Sequence, residues 1–157
     1  MKLLVLAVGG VRGPLGSVLA DYEERARRYW KLEAVEVDAG APGRDPEPRR
    51  VRNAEADRIL ARLPDGYEVH ALTREGKQMR SRTLARILQR ASVGATPGVA
   101  FVLGGAFGLA ESVVDRARRR VSLSAMTLPH EMARLVLTEQ IYRAGTILRN
   151  EPYHKGA

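Results

Sequence analysis

The sequence predicts an α/β domain built on a mostly parallel sheet. Short apolar segments alternate five times with amphipathic segments, which is the order of a repeated strand and helix. The composition, 45% hydrophobic and 28% charged, is that of a chain that folds rather than of a disordered one. No repeat and no second boundary is visible, so we expect one domain over residues 1–157.

Five segments have the length and composition of strands. Each is short, rich in Val, Leu or aromatic residues, and followed by turn residues. The predicted strands are Lys2 to Val8, Glu33 to Asp38, Glu68 to Leu72, Val99 to Leu103 and Arg120 to Ser124.

Helical patterns fill the intervals between these strands. Their apolar residues recur at helical spacing, with charged residues on the opposite side. The predicted helices are Leu15 to Leu32, Val51 to Leu63, Ser81 to Ala91 and Leu109 to Arg118. Only Ala39 to Arg50, with its prolines and glycines, resembles a flexible loop.

The C-terminal part predicts a longer helix of a different kind. Pro129 sets up its first turn, and Glu131 lies near the positive end of the helix dipole. Its apolar residues do not share one face, which is typical of a helix buried between two surfaces. They are Met132, Leu135, Val136, Leu137, Ile141, Tyr142 and Leu148. One of those surfaces could be a second copy of the chain in a twofold dimer.

Two glycine turns follow predicted strands, Val8 to Gly16 and Val102 to Ser112. A dinucleotide site requires G-x-G-x-x-G, and Val8 and Leu103 replace the first glycine of that pattern. Asp38, at the end of the second predicted strand, favours a nucleotide-dependent oxidoreductase that uses the first turn. The missing first glycine of the pattern argues against this function. In the second turn, Gly104, Gly105 and Gly108 could instead expose backbone groups directly to a ligand without a phosphate.

The charge of the chain indicates a nucleic-acid partner. The formal net charge is +8, and six basic residues stand against one acidic residue between positions 74 and 90. Arg82, Arg86 and Arg90 are four residues apart, so on a helix they form one stripe suited to phosphates. The alternative is a solvated basic face in a chain generally rich in Arg.

Several classes of protein are disfavoured. Without cysteine the chain has no disulfide and no thiolate ligand, and three histidines give little material for zinc, so we expect no metal. No apolar run approaches the roughly 20 residues of a membrane span. The first residues do not resemble a signal peptide, and we expect a cytoplasmic protein.

Three motifs in order make the sequence recognisable: GGAFG, then LSAMTLPHEMARLVLTEQIYRA, then EPYHK. Together they resemble the family of ribosomal RNA large subunit methyltransferase H, the pseudouridine N3-methyltransferases of the SPOUT or α/β-knot superfamily. The segments VLAVGG, VDAG and HALTREGK extend the resemblance over nearly the whole chain, and it is strongest from Val99 to Lys155.

The resemblance implies a C-terminal deep trefoil knot, an exception to the rule that folds are unknotted, and an obligate homodimer. It implies S-adenosylmethionine as the cofactor and a pseudouridine of 23S ribosomal RNA, in a stem-loop on the assembled ribosome, as the substrate. The cofactor residues carried over from the family are Leu72, Gly104, Gly105, Leu123, Ser124, Ala125, Met126, Thr127 and Leu128.

Methylation of N3 requires the loss of its proton, so a base is expected beside the aligned reactants. The resemblance makes Tyr153 and His154 of the tail the first choice, reaching the cofactor of the partner subunit; otherwise His154 is a surface group. His130, in the first turn of the last helix, is the rival base or a capping residue. Arg143 could hold an RNA phosphate or a uracil carbonyl, and Arg134 is either functional or part of a dimer salt bridge.

One position departs from the family pattern. Many members carry an acid after the leucine that matches Leu72, where this chain has Thr73, and Glu75 could substitute for it. Two alternatives to the methyltransferase of this substrate stay open: a basic RNA-binding module that has kept the fold without catalysis, and a SPOUT methyltransferase with another RNA substrate. His70, within an apolar strand, is interpreted as structural.

Overall fold

A five-stranded sheet forms the centre of the molecule, and all its strand pairs are parallel. The computed structural model describes residues 1–44 and 47–156. The strands are β1 Lys2–Val8, β2 Lys31–Val37, β3 Glu68–Gln78, β4 Gly98–Leu103 and β5 Arg119–Ser122. Their order is β2-β1-β4-β3-β5. The predicted α/β class is confirmed, and the knot stays a prediction.

Helices connect the strands in chain order. They are α1 Pro14–Arg27, α2 Pro48–Arg62, α3 Ser81–Val93, α4 Glu111–Arg116 and α5 His130–Leu148, followed by a 3-10 turn at Pro152–His154. Proline occupies the first turn of α1 and of α2, where no backbone donor is lost. Glu47 caps α2 by accepting hydrogen bonds from the backbone N–H groups of Arg49 and Arg50 at 3.0 and 2.8 Å.

The helices cover both faces of the sheet and form two cores. On one face, α1, α3 and α5 pack over side chains such as Leu3 and Phe101, and Ile141 of α5 is buried in this core. On the other face, α2 and α4 pack over Leu6 and Val102. The central strand β4 is buried along its whole length, which is why it reads as a continuous apolar run. This arrangement leaves the carboxyl edge of the sheet for loops.

The boundary between α1 and β2 differs from the predicted one. The helix ends at Arg27 rather than Leu32, and β2 begins at Lys31. Trp30 lies in the turn between them and donates its indole N–H to the carbonyl of Ile141 at 3.0 Å. Leu32 is buried in the strand, so the apolar pattern of α1 continues across the turn into β2. The pattern therefore gave no sign of where the helix ends.

Other boundaries also differ from the predicted ones, and β5 ends at Ser122 rather than Ser124. α2 begins at Pro48, inside the predicted loop of residues 39–50, of which positions 45 and 46 lie outside the described residues. α4 is shorter than predicted, at Glu111–Arg116. β3 continues past Leu72 because the strand bulges and then pairs again with β5, at Lys77 opposite Val121.

The C-terminal helix α5 packs against α1, α3 and β4 of the same chain. Leu137, Ile141 and Ala144 are buried there. Met132, Leu135, Val136, Tyr142 and Leu148 are only half-buried. An apolar face therefore remains partly open on α5, and the homodimer stays a prediction.

His70 is a structural residue, as predicted. Its side chain is fully buried, its Nε2 lies 2.8 Å from Oε1 of Glu68, and its ring meets the edge of Phe101. Burial lowers the pKa of His70 from its usual 6.5, although the neighbouring Glu68 opposes this change. The folded chain therefore holds His70 neutral at pH values where the unfolded chain protonates it.

We expect the thermal stability of the protein to fall as the pH drops below about 6.5, by up to about 1.4 kcal/mol per pH unit from this one group. Below that pH the unfolded chain binds a proton that the folded chain does not. The melting temperature measured between pH 7 and pH 5.5 should therefore fall more steeply for the wild type than for His70→Gln, in which the other two histidines are unchanged. Parallel slopes would contradict this assignment.

Within the described part of the chain, no helix combines the length and the apolar character needed to cross a membrane.

Candidate functional site

A large cleft of about 1060 Å³ opens at the carboxyl edge of the sheet. Its main walls are the residues that follow Ala71 in β3, the glycine turn after β4, and the loop between β5 and α5, and residues of α2, α4, α5 and β5 complete the lining. Parallel strands bring their carboxyl ends to one edge, so segments distant in sequence meet there.

The predicted cofactor residues gather in this cleft. Ala125 does not line it, and the other eight do: Leu72, Gly104, Gly105, Leu123, Ser124, Met126, Thr127 and Leu128. The segment from Leu123 to Leu128 is folded on itself. Ser122 donates its hydroxyl to the carbonyl of Ser124 at 2.9 Å, and Ser124 Oγ accepts from the N–H of Met126 at 3.0 Å. Met126 is 78% exposed, so its side chain offers apolar surface to a ligand.

Gly104 and Gly105 of the second turn line the cleft and also have close neighbours within the chain. A Cβ on Gly104 would lie 2.5 and 2.6 Å from the carbonyl carbon and oxygen of Gly108. A Cβ on Gly105 would lie 2.9 Å from Oε2 of Glu55 and 3.0 Å from Cγ1 of Val8. A side chain at position 104 would therefore collide with backbone, whereas one at position 105 would meet the ends of two side chains. Glycine at 104 allows the turn itself to form, and the turn then lines the cleft.

Thr73 places a polar group in the cleft at the position where the family pattern has an acid. Its hydroxyl is buried and has no hydrogen-bond partner among the described residues. Arg74, the next residue, donates to the hydroxyl of Thr127 at 3.1 Å and joins β3 to the loop before α5. Glu75, the suggested substitute for the acid, also lines the cleft. The cleft thus offers hydroxyl and backbone groups to a ligand.

His130 is the predicted catalytic residue that lies at the cleft. It is the first residue of α5, and a Cβ built on Gly9 would lie 3.9 Å from its Nε2. The first glycine turn therefore comes close to this imidazole at the edge of the cleft. The residues of that turn do not line the cleft, and Pro14 begins α1 directly after them. This geometry is that of a strand-to-helix turn, as predicted.

The other predicted catalytic residues form a separate cluster on α5 and the tail. Arg143 donates to Oε1 of Glu139 at 2.6 and 3.0 Å, and Tyr153 donates its hydroxyl to the same oxygen at 3.0 Å. The Tyr153 ring lies 4.6 Å from that of Tyr142, and Arg143 lies over it. His154 has a buried Nδ1 with no partner among the described residues. We call these residues the tail cluster.

The tail cluster does not line the cleft of its own chain. Arg143 lies more than three helical turns beyond His130 on α5, a distance of about 20 Å along the axis. Burial first, and then the hydrogen bonds with Tyr22 and Glu139, raise the pKa of the Tyr153 phenol. Within one protomer, the predicted catalytic residues therefore lie in two separate groups, His130 at the cleft and the tail cluster away from it.

Arg82, Arg86 and Arg90 form the predicted stripe on α3. All three are exposed, opposite a buried face that includes Leu84 and Leu88. The stripe does not line the cleft. Its contact with RNA stays a prediction.

Four arginines line the cleft, and the sequence pattern did not single them out as a group. They are Arg49, Arg52, Arg74 and Arg120. Arg52 also donates to the carbonyl of Phe107 in the glycine turn at 3.5 Å. The first two turns of α2 place Arg49 and Arg52. Arg49 lies in the segment predicted as a loop, whereas Arg52 lies in the predicted helix Val51 to Leu63.

Arg134 forms its ion pairs within its own chain, and a dimer salt bridge at this residue stays a prediction. It is 5% exposed and pairs within its own chain, with Glu23 at 3.2 Å and Glu36 at 2.5 Å. These contacts join α5 to α1 and β2, so the role of Arg134 is to hold the helix that carries His130.

Among residues 1–44 and 47–156, no group of three or more His, Asp or Glu side chains is arranged to hold a metal ion.

Curated relatives match the chain over almost its full length. The protein of Gemmatimonas aurantiaca named ribosomal RNA large subunit methyltransferase H is 48% identical to this chain, and the match covers 99% of this chain and 100% of the relative. The protein of that name in Syntrophotalea carbinolica is 43% identical, covering 98% and 99%. That of Listeria monocytogenes is 41% identical, covering 99% and 100%.

Solved structures share the fold. A probable methylase family protein from Haemophilus influenzae superposes with a TM-score of 0.53 at 11% identity, covering 98% of this chain and 70% of that chain. A probable methyltransferase from Bordetella pertussis gives 0.53 at 18% identity, covering 91% and 95%. A family model described as predicted SPOUT methyltransferase matches residues 1–154. The chain therefore belongs to the SPOUT methyltransferases and, within them, to the family of ribosomal RNA large subunit methyltransferase H.

Proposed function

We propose that this methyltransferase transfers a methyl group from S-adenosylmethionine to N3 of a pseudouridine in a stem-loop of 23S ribosomal RNA, on the assembled ribosome in the cytoplasm. The observation that carries the proposal is the cleft, in which the GGAFG turn and the LSAMTLPH loop meet at the carboxyl edge of the sheet. The full-length similarity to relatives named for the large ribosomal RNA supports the substrate class.

The cleft suits S-adenosylmethionine. Its volume accommodates a molecule of that size, and the unpartnered hydroxyl of Thr73 offers a hydrogen bond to it. The glycine turn and the loop from Leu123 to Leu128 would hold the cofactor between backbone groups and the apolar side chain of Met126. When bound, S-adenosylmethionine supplies a methyl group on a positively charged sulfur, which leaves as a neutral thioether and needs no acid.

The side chains must therefore handle the proton on N3 of the substrate base. His130 lies at the cleft, and an imidazole is suited to accept a proton near neutral pH. Tyr153 is a poor base because its phenol has a raised pKa and stays protonated. We assign Tyr153 to hydrogen-bond donation and Arg143 to holding a phosphate or a uracil carbonyl.

The separation between His130 and the tail cluster supports a homodimer. Two groups about 20 Å apart along one helix do not act on one base, but a partner related by twofold symmetry can bring its tail to the other cleft. Each complete site would then use the cleft of one protomer and Tyr153, His154 and Arg143 of its partner. The deep knot belongs to the same proposal, since the loop from Leu123 to Leu128 is the segment that it would involve.

The test is incubation of the purified protein with labelled S-adenosylmethionine and ribosomes from cells that lack the modification. Nucleoside mapping should find the label on N3 of one pseudouridine in 23S ribosomal RNA, with free RNA a much poorer substrate. Label on another nucleotide would indicate a different RNA substrate. Binding to ribosomes without any label would indicate the non-catalytic RNA-binding module.

The arginine stripe on α3 gives a separate prediction. Replacing Arg82, Arg86 and Arg90 by Gln should weaken ribosome binding and reduce the slope of log affinity against log salt by about 2 to 3, because each phosphate contact releases counterions. The matched control is the triple change of Arg28, Lys31 and Arg62, which are exposed and lie just after α1, at the start of β2 and at the end of α2.

Filter-binding titrations at several salt concentrations measure both effects. The control removes the same charge and should leave the slope nearly unchanged. If both triple variants reduce the slope equally, the net charge rather than the stripe drives binding. The arginines that line the cleft would then be the next candidates for RNA contact.

A further inference from the structure

An exposed aromatic residue lines the cleft and has no role in the proposed methyl transfer. Phe107 lies in the tight turn that Gly105 and Gly108 close, where the N–H of Gly108 donates to the carbonyl of Gly105 at 3.1 Å. Phe107 is 39% exposed, whereas the other phenylalanine of the chain, Phe101, is buried in the core. The turn therefore holds an aromatic ring at the cleft where a ligand can reach it.

Two arginines of α2 adjoin this turn. Arg52 donates to the carbonyl oxygen of Phe107 at 3.5 Å, and Arg49 lies three positions earlier, on the same side of the helix. Glu47, at the start of α2, uses both carboxylate oxygens to cap backbone N–H groups of the helix. Among the described residues, neither arginine side chain forms an ion pair with an acid, unlike Arg143 on α5. Both positive charges are therefore available to a ligand.

The lining of the cleft has more positive than negative side chains. Its arginines are Arg49, Arg52, Arg74 and Arg120, and its acids are Glu75 and Glu111. S-adenosylmethionine has a single carboxylate, whereas RNA carries a negative phosphate at every nucleotide. The excess of arginines therefore matches RNA better than it matches the cofactor. Proteins bind unpaired nucleotides with this combination, since bases stack on aromatic rings and cations hold the phosphates.

We propose that Phe107, Arg49 and Arg52 form a platform that binds an unpaired nucleotide of the substrate RNA, next to the one that receives the methyl group. The inference rests on the proposed function. The base of this nucleotide stacks on the ring of Phe107, and the two guanidinium groups hold the phosphates on either side of it. The target base must leave its stack to enter the cleft, so a neighbouring base held here stabilises the opened loop. We call these three residues the Phe107 platform.

Steady-state methylation of ribosomes that lack the modification tests the stacking. Phe107→Ala should raise KM for ribosomes by about 10-fold, the scale on which one stacked base contributes, and should lower kcat by less than about threefold. Phe107→Tyr keeps the ring and should keep the KM of the wild type. Phe107→Leu keeps an apolar side chain without an aromatic face and should resemble the Ala variant. A Leu variant with the KM of the wild type would overturn the stacking.

Changing Arg49 and Arg52 together to Gln tests the phosphate contacts. This double variant should weaken ribosome binding and reduce the slope of log affinity against log salt by about 1 to 2. The matched control changes Arg62 and Arg116 to Gln, because both are exposed last residues of helices and neither lines the cleft. An equal reduction of the slope in the two double variants would refute the phosphate contacts.

The cofactor is the competing occupant of the ring. Isothermal titration of Phe107→Ala with S-adenosylmethionine should give the affinity of the wild type within about twofold. A loss of about 10-fold or more would show that the ring contacts the cofactor, and the platform would be rejected.

A last measurement does not depend on methyl transfer. In filter binding at low salt, a single-stranded oligouridylate of about ten nucleotides should bind the Ala and Leu variants about 10-fold more weakly than the wild type and the Tyr variant. Equal binding to all four proteins would refute the platform even where ribosomes are methylated. If ribosomes receive no methyl group but this difference is found, the proposed function fails and the RNA-binding role of Phe107 is still supported.

Discussion

Replacing Gly104 by Ala is expected to weaken the binding of S-adenosylmethionine by about 100-fold or more. The added Cβ would lie 2.5 and 2.6 Å from the carbonyl group of Gly108 and 3.0 Å from the backbone nitrogen of Leu109. Backbone atoms cannot rotate away as a side chain can, so the turn must open. Because the turn from Leu103 to Ser112 forms one wall of the cleft, its opening removes that wall.

Isothermal titration calorimetry measures the loss, and circular dichroism should show that the sheet remains folded. Gly105→Ala is the matched comparison. Its Cβ would meet the ends of two side chains, Glu55 and Val8, which can shift, and we expect less than about 10-fold weaker binding. Equal losses at 104 and 105 would contradict the argument from the turn and indicate that both glycines touch the cofactor directly.

The sheet could be predicted from the sequence because each strand carries its own signal. β1 and β4 are buried on both faces and read as short apolar runs between turn residues. The edges of elements were less predictable. Leu32 continues an apolar pattern from α1 into β2, and the pairing of Lys77 with Val121 extends β3 through a contact distant in sequence.

The candidate site could be predicted only where a motif marks it. Leu72, Gly104 and the loop from Leu123 to Leu128 were found through the resemblance and meet in the cleft. Glu55, which is buried beside the glycine turn, has no such signal, because a single acid on an amphipathic helix reads as part of a solvated face. The close packing at Gly105 could not be predicted either. A Cβ there would meet the carboxylate of Glu55, which lies fifty positions earlier in the sequence.

Mixing two inactive variants is expected to restore about a quarter of the wild-type methylation activity, if each site combines two protomers. One variant, Gly104→Ala, has a defective cleft and an intact tail. The other, His154→Ala, has an intact cleft and a defective tail. After random exchange of subunits, about half of the dimers contain one of each, and one of the two sites in such a dimer is built from the intact cleft and the intact tail.

Mixing distinguishes a site shared between two protomers from a site contained within one protomer. In the second case every protomer carries one defect, and mixing would restore no activity. Each variant alone should be inactive, and His154→Ala should still bind S-adenosylmethionine, since the tail cluster lies outside the cleft of its own chain. The control mixes Gly104→Ala with His130→Asn. Both changes affect the cleft, so no combination of these protomers contains an intact cleft, and activity should stay at the level of the separate variants.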